Sequence, residues 1–307
     1  MARLKTFSLI AACLLCHIAF AETPNKVIVF GDSASDTGNL FIAFGFPPPP
    51  YADGRFSDGP VWVEYLAGDL GAAPPAPSLL GGTNFAWAGA ESINNISTIG
   101  VPGVGLQVSE YLGGGGGSAA ENALHIVWAG ANDILQAGNF DGTSIAANVA
   151  EAANRLAAGG AQHILVVNQM NLGRTPALAN GEFDPVFNPL GTTSKQFKKT
   201  AKTFNRAIKK KLKTVACANP GAEIMLLDAA DLLRDVVQRP WRFGFQDVTT
   251  PAILGGDPAT SLWWDSIHPT SAFHQILADE ALAVIEDDDD DSDEDDDSDN
   301  DHCEDED

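Results

Sequence analysis

Four short apolar runs stand out along the chain: residues 26–30 (KVIVF), 124–128 (LHIVW), His163–Val167 (HILVV) and Glu223–Leu227 (EIMLL). Residues 83–86 are a weaker fifth candidate. Runs that are apolar without alternation suit strands covered on both faces, which implies a parallel sheet between helices. Helical patterns fall between them. Residues 144–158 are alanine-rich and stop at Gly159-Gly160. Over residues 195–215, Phe197, Ala201, Phe204, Ile208, Leu212 and Val215 recur at steps of three and four. A last helix over 272–285 carries Phe273, Ile276, Leu277, Leu282 and Ile285. Strand–helix alternation of this kind predicts an α/β fold: a three-layer αβα sandwich around a parallel sheet of about five strands. Three loops interrupt the pattern. Residues 46–51 include four consecutive prolines and 113–117 are five glycines, and both read as connectors. The long segment 173–191 is a candidate to line a site.

The ends follow different rules. Arg3 and Lys5 precede an apolar stretch, and Ala19-Phe20-Ala21 has the form of a cleavage site, so residues 1–21 read as a signal peptide cut after Ala21. The expected location is secreted or periplasmic. The chain has a net charge of -23, but residues 286–307 hold 17 acids and no Lys or Arg. They are expected to form a disordered acidic tail. Residues 22–285 keep 24 acids and 16 bases, a modest -8, and form the one folded domain. No general nucleic-acid partner is expected, because phosphate binding needs a cationic face. Cys13 and Cys16 leave with the signal, so Cys217 and Cys303 are the two available to a disulfide in an oxidising compartment. No metal-binding cysteine spacing occurs.

Chemistry concentrates where strands end. Ser33, in Gly31-Asp32-Ser33, follows the first run. At the carboxyl edge of an open parallel sheet it sits where ligands collect, and a base in reach would make it a nucleophile. Asp265-Ser266-Ile267-His268 precedes the last helix. An Asp three residues before a His can accept from Nδ1, fix the tautomer and leave Nε2 for a serine. Gly89 follows the second candidate strand and Asn132 the third, and a glycine N–H and an Asn amide are groups that stabilise an oxyanion. Each signal alone has an ordinary alternative, a turn or a helix cap. Their coincidence on one sheet edge carries the argument.

Four segments together, FGDSASDTGN, NFAWAGA, GAND and DSIHP, resemble the GDSL lipase/esterase family of SGNH hydrolases, especially its plant and bacterial secreted branch. Ala34 stands where the namesake Leu usually does. Residues 54–59 and 61–65 are also similar to this branch, so the resemblance spans about 26–285. It implies a flavodoxin-like SGNH hydrolase fold. It implies Ser33 as nucleophile, His268 as base and Asp265 as its orienter. The oxyanion hole would be the N–H groups of Ser33 and Gly89 and the amide of Asn132. No cofactor or metal is implied. No Gly-x-Ser-x-Gly occurs, which disfavours the α/β-hydrolase elbow.

The function expected on this ground is a secreted serine esterase or lipase cleaving carboxylic esters through an acyl-enzyme. Alternatives are a phospholipase or lipid acyltransferase on the same site, or a non-catalytic exported binding protein. Trp263 and Trp264 are candidates for an acyl pocket or for packing under the loop, and His125 and His163 read as core residues. Residues 195–213 carry nine Lys or Arg and no acid. Beyond a solvated face, two readings follow: contact with an anionic membrane surface, or docking of the acidic tail held by a Cys217–Cys303 bridge.

Overall fold

The computed structural model describes residues 24–114, 116–179 and 184–291, with side chains described to residue 287. The strands are β1 Val27–Phe30, β2 Leu124–Val127, β3 His163–Val167 and β4 Glu223–Leu227, parallel throughout and ordered β1-β2-β3-β4. The register sets Phe30 beside Val127, and Val127 beside Val166. Every residue of β1, β2 and β3 is buried, which is why these runs, His125 and His163 apart, are apolar without alternation. β4 is half-buried in alternation, as suits a strand at the sheet's edge.

The helices are α1 Asn39–Phe44, α2 Trp62–Asp69, α3 Val104–Gly114, α4 Ala131–Leu135, α5 Gly142–Ala158, α6 Pro176–Ala179, α7 Ser194–Ala218, α8 Ala229–Gln238 and α9 Ser271–Asp291. α3, α5 and α7 pack together as one layer, and α2 and α9 as the other. The apolar stripe of α7 is buried as its spacing predicts: Phe197, Ala201, Phe204, Ile208, Leu212 and Val215 all face the core. A capping box starts that helix, Thr193 and Gln196 bonding each other's backbone N–H groups. Gly142 lets α5 approach α7 closely, since a Cβ there would meet the Thr200 carbonyl at 2.4 Å.

Among the described residues four strands form where about five were expected. The segment around Asn84 pairs with β1 only as an isolated bridge to Val29. Val29 N–H donates to Thr83 and Phe85 N–H to Val29, but Asn84 is bonded on its other side to the turn at Ala76–Ser78. The Asn84 side chain also folds back to the Ser35 carbonyl at 2.7 Å, so the extended stretch stops short. The last helix runs to Asp291, past Ile285 and into the acidic run. Cys217 is disulfide-bonded near the end of α7. Cys303, residues 1–21 expected as a signal peptide, and most of the acidic run lie outside the described residues. Among the described residues no helix is long and apolar enough to cross a membrane.

His125 and His163 are core residues. His125 is bonded to the Ala123 carbonyl and to Tyr111, and His163 to Glu223 at 2.7 Å. His274, on α9, is buried with neither ring nitrogen bonded among the described residues. Burial, reinforced by the charge of His268, lowers its pKa from 6.5 to about 3. The unfolded chain therefore takes up a proton near pH 6.5 that the folded chain refuses. This residue leaves stability unchanged above that pH and subtracts from it as pH falls toward 3. Compared with His274→Gln, the parent should lose about 1.4 kcal/mol of stability per pH unit between pH 6 and 4. Denaturant unfolding of both proteins across that window checks it; parallel curves would refute it.

Candidate active site

The carboxyl ends of β1 and β2 feed directly into the site. β1 ends at Phe30, and the turn Gly31–Ala34 follows it. β2 leads through Trp128 and Gly130 into α4, which presents Asn132. The loop 265–268 precedes α9. These three connections bring Ser33, Asn132 and His268 to one cavity of about 180 Å³, together with Gly89. Its walls are mostly apolar, with Leu40, Phe56, Trp128, Leu135, Met170 and Phe187 prominent.

His268 Nε2 lies 2.8 Å from Ser33 Oγ. On the other side of the ring, Nδ1 lies 2.7 Å from Asp265 Oδ2. Asp265 Oδ1 accepts the N–H groups of Ile267 at 2.8 Å and of His268 at 2.6 Å, so one carboxylate fixes both its loop and its histidine. Burial alone would raise the pKa of Asp265. The charge of His268, with the bonds from its ring and from these N–H groups, outweighs burial and holds the pKa below the usual value. This arrangement is able to move a proton from the Ser33 hydroxyl to the ring.

The N–H groups of Ser33 and Gly89 donate to no protein group among the described residues. Asn132 Nδ2 donates to the Ala90 carbonyl at 3.1 Å and lies 3.4 Å from Asp32 Oδ2. Gly89 has φ +83°, and a Cβ there would come within 2.0 Å of Ile99 Cδ1. The left-handed backbone favours glycine at this position, while the contact is only with the end of the half-exposed Ile99 side chain. The loop carrying Gly89 is pinned by Asp36, the second acid of the Ser33 segment. Asp36 accepts the N–H groups of Gly38, Asn39 and Ala88, at 2.7, 2.7 and 2.9 Å. Asp32 is buried beside Ser33, and burial raises its pKa to about 6.

Sequence reasoning missed two residues here. Tyr51 Oη donates to Asp265 Oδ2 at 2.8 Å. Phe56 packs its ring 4.9 Å from that of His268. The proline-rich loop 46–51 is therefore more than a connector, since Phe46 also lines the cavity. The described part of loop 173–191 contributes Val186 and Phe187 to it. Trp263 and Trp264 do not line the cavity. Trp263 is buried and bonded to the Val248 carbonyl, and Trp264 packs edge-on against Tyr51. Tyr51→Phe should lower turnover of a soluble ester about tenfold, because a bond to a charged carboxylate is lost while the ring stays. The loss should lie in kcat with KM nearly constant; a change in KM alone would assign Tyr51 to substrate binding. Among the described residues no cluster of three His, Cys, Asp or Glu is arranged to hold a metal.

The profile of the GDSL-like Lipase/Acylhydrolase family matches residues 27–281. The chain belongs to this family. A phosphatidylcholine-sterol acyltransferase of Aeromonas hydrophila is 32% identical over 166 residues, covering 50% of this chain and 47% of its own length. A GDSL esterase/lipase of Arabidopsis thaliana is 26% identical, covering 83% of this chain and 84% of its own. The thermolabile hemolysin of Vibrio parahaemolyticus is 29% identical, covering 84% and 63%. The chain thus spans about half of the acyltransferase it matches, but most of the plant enzyme.

Proposed function

We propose that the protein is an exported esterase or lipase that cleaves acyl esters through Ser33, His268 and Asp265. The carrying observation is the bonded series from Ser33 Oγ through the His268 ring to Asp265, opening into an apolar cavity. Ser33 Oγ attacks the ester carbonyl while His268 Nε2 takes its proton. The oxyanion is held by the N–H groups of Ser33 and Gly89 and by the Asn132 amide. The C–O bond to the alcohol breaks, and His268 returns the proton to that oxygen. Water, deprotonated by His268, then releases the acid from Ser33 and restores the hydroxyl.

A second reading replaces that water with an acceptor alcohol, which makes the protein a lipid acyltransferase. The similarity to an enzyme named for acyl transfer from phosphatidylcholine supports it. Both readings favour a lipid ester, given the apolar walls. The basic face of residues 195–213 suits an anionic lipid surface, and the acidic tail is its competing occupant. Turnover of p-nitrophenyl esters of rising chain length, beside phosphatidylcholine with and without an acceptor alcohol, tests the assignment. Hydrolysis dependent on Ser33 supports it, and full activity of Ser33→Ala would overturn it.

A further inference from the structure

Several exposed side chains at the cavity are apolar. Ile99 and Val186 line it, yet remain 47% and 52% exposed, and Phe46 shares both properties. Next to Phe46, α1 presents Phe44 at 67% exposure. The turn Ser78–Leu80 packs on α1, with the Leu79 N–H donating to Asn39 Oδ1, and it holds Leu80 out at 70% exposure. A folded chain does not gather large apolar groups around one opening without something to cover them.

On the same edge of the sheet, beyond β3 and β4, lies a second cleft of about 390 Å³. Lys198, Lys202, Arg206, Lys209 and Arg234 line it, against the acids Asp228 and Asp231. Lys209 faces Asp228, and Arg234 pairs with Asp231, while Lys198, Lys202 and Arg206 make no ion pair among the described residues. Gln169 lines both this cleft and the catalytic cavity. Its backbone is tied to α7 by Asn205, which accepts the Gln169 N–H at 2.9 Å and donates to the Gln169 carbonyl at 3.0 Å. The basic face and the apolar rim are therefore parts of one continuous edge.

We infer that this edge docks on an anionic phospholipid surface. The rim of Phe44, Phe46, Leu79, Leu80, Ile99 and Val186 enters the acyl region, and the cleft under α7 receives the headgroup charge. The inference rests on the lipid-ester reading above and adds how the cavity meets aggregated substrate. Apolar contact and headgroup attraction are the two components of interfacial binding, and neither alone orients a protein. This orientation would open the cavity toward the lipid.

Flotation of the full chain with vesicles of phosphatidylcholine, alone or mixed with phosphatidylglycerol, tests it. The parent protein should float with the mixed vesicles. Phe44→Ser combined with Leu80→Ser should weaken that binding about tenfold or more. Lys198→Glu combined with Lys202→Glu should weaken it about tenfold on mixed vesicles and little on pure phosphatidylcholine. None of these four side chains lines the catalytic cavity, so turnover of soluble p-nitrophenyl acetate should be unchanged, which also verifies folding. A parent that ignores mixed vesicles, or a Phe44/Leu80 variant that binds like the parent, overturns the docking face. Absence of p-nitrophenyl acetate turnover in the parent would instead remove the hydrolase reading, whatever the vesicles show.

Discussion

His268→Ala is expected to lower turnover of a p-nitrophenyl ester by about a millionfold, the scale on which removal of a base that acts as one unit with its nucleophile is felt. The reason is geometric. Ser33 Oγ has His268 Nε2 at 2.8 Å to receive its proton, and a neutral hydroxyl is a poor nucleophile. Asp265→Asn should cost less, about ten-thousandfold, because in the proposed mechanism Asp265 orients the ring and stabilises its charge without moving the proton. Its Oδ1 contacts to the Ile267 and His268 N–H groups can survive in Asn, so the loop should hold. What changes is the partner of Nδ1, and with it the tautomer. Steady-state rates of the two variants decide the roles. Equal loss at both positions, or greater loss at Asp265, would contradict them.

The second large effect is expected at Asn132. Asn132→Ala should reduce kcat about a hundredfold or more, near 3 kcal/mol, with KM nearly unchanged. The Asn132 amide has two N–H groups. One is engaged by the Ala90 carbonyl at 3.1 Å, and the other makes only a long bond to Asp32 Oδ2 at 3.4 Å, which a developing oxyanion would replace. A group that contacts charge only in the transition state appears in kcat rather than in KM. The bond to Ala90 also steadies the loop behind Gly89, so part of the loss will come from a less ordered donor. A rise in KM at constant kcat would instead make Asn132 a substrate-binding residue.

Much of this site was legible in the sequence because each piece follows a strand or precedes a helix that the hydrophobic pattern reveals. Ser33 comes three residues after β1, and Asn132 lies within the helix that β2 leads into. Asp265 and His268 are close in sequence, so their contact is nearly local. Tyr51 and Phe56 were not legible. Tyr51 stands 214 residues from Asp265, in a loop whose prolines hide any periodic signal. A contact that distant is set by how α1 and the loop after it fold over the sheet edge, and a single sequence does not encode that openly. The fifth strand failed for a different reason. Thr83 and Phe85 suit a strand, but Asn84 directs its side chain into local bonds that no hydrophobicity pattern reports. Charge behaved in a similar way. The total of -23 describes mainly the tail, while the basic face of α7 becomes visible only when charge is read segment by segment.

The central claim is that Ser33, activated by His268, carries the acyl group. A fluorophosphonate probe tests it most directly, because it reacts only with an activated serine and leaves a mass that can be mapped. Complete inactivation with one label on the peptide containing Ser33, and almost none in His268→Ala, is the predicted result. Ester hydrolysis that survives full labelling of Ser33, or inactivation with the label on another residue, would contradict it.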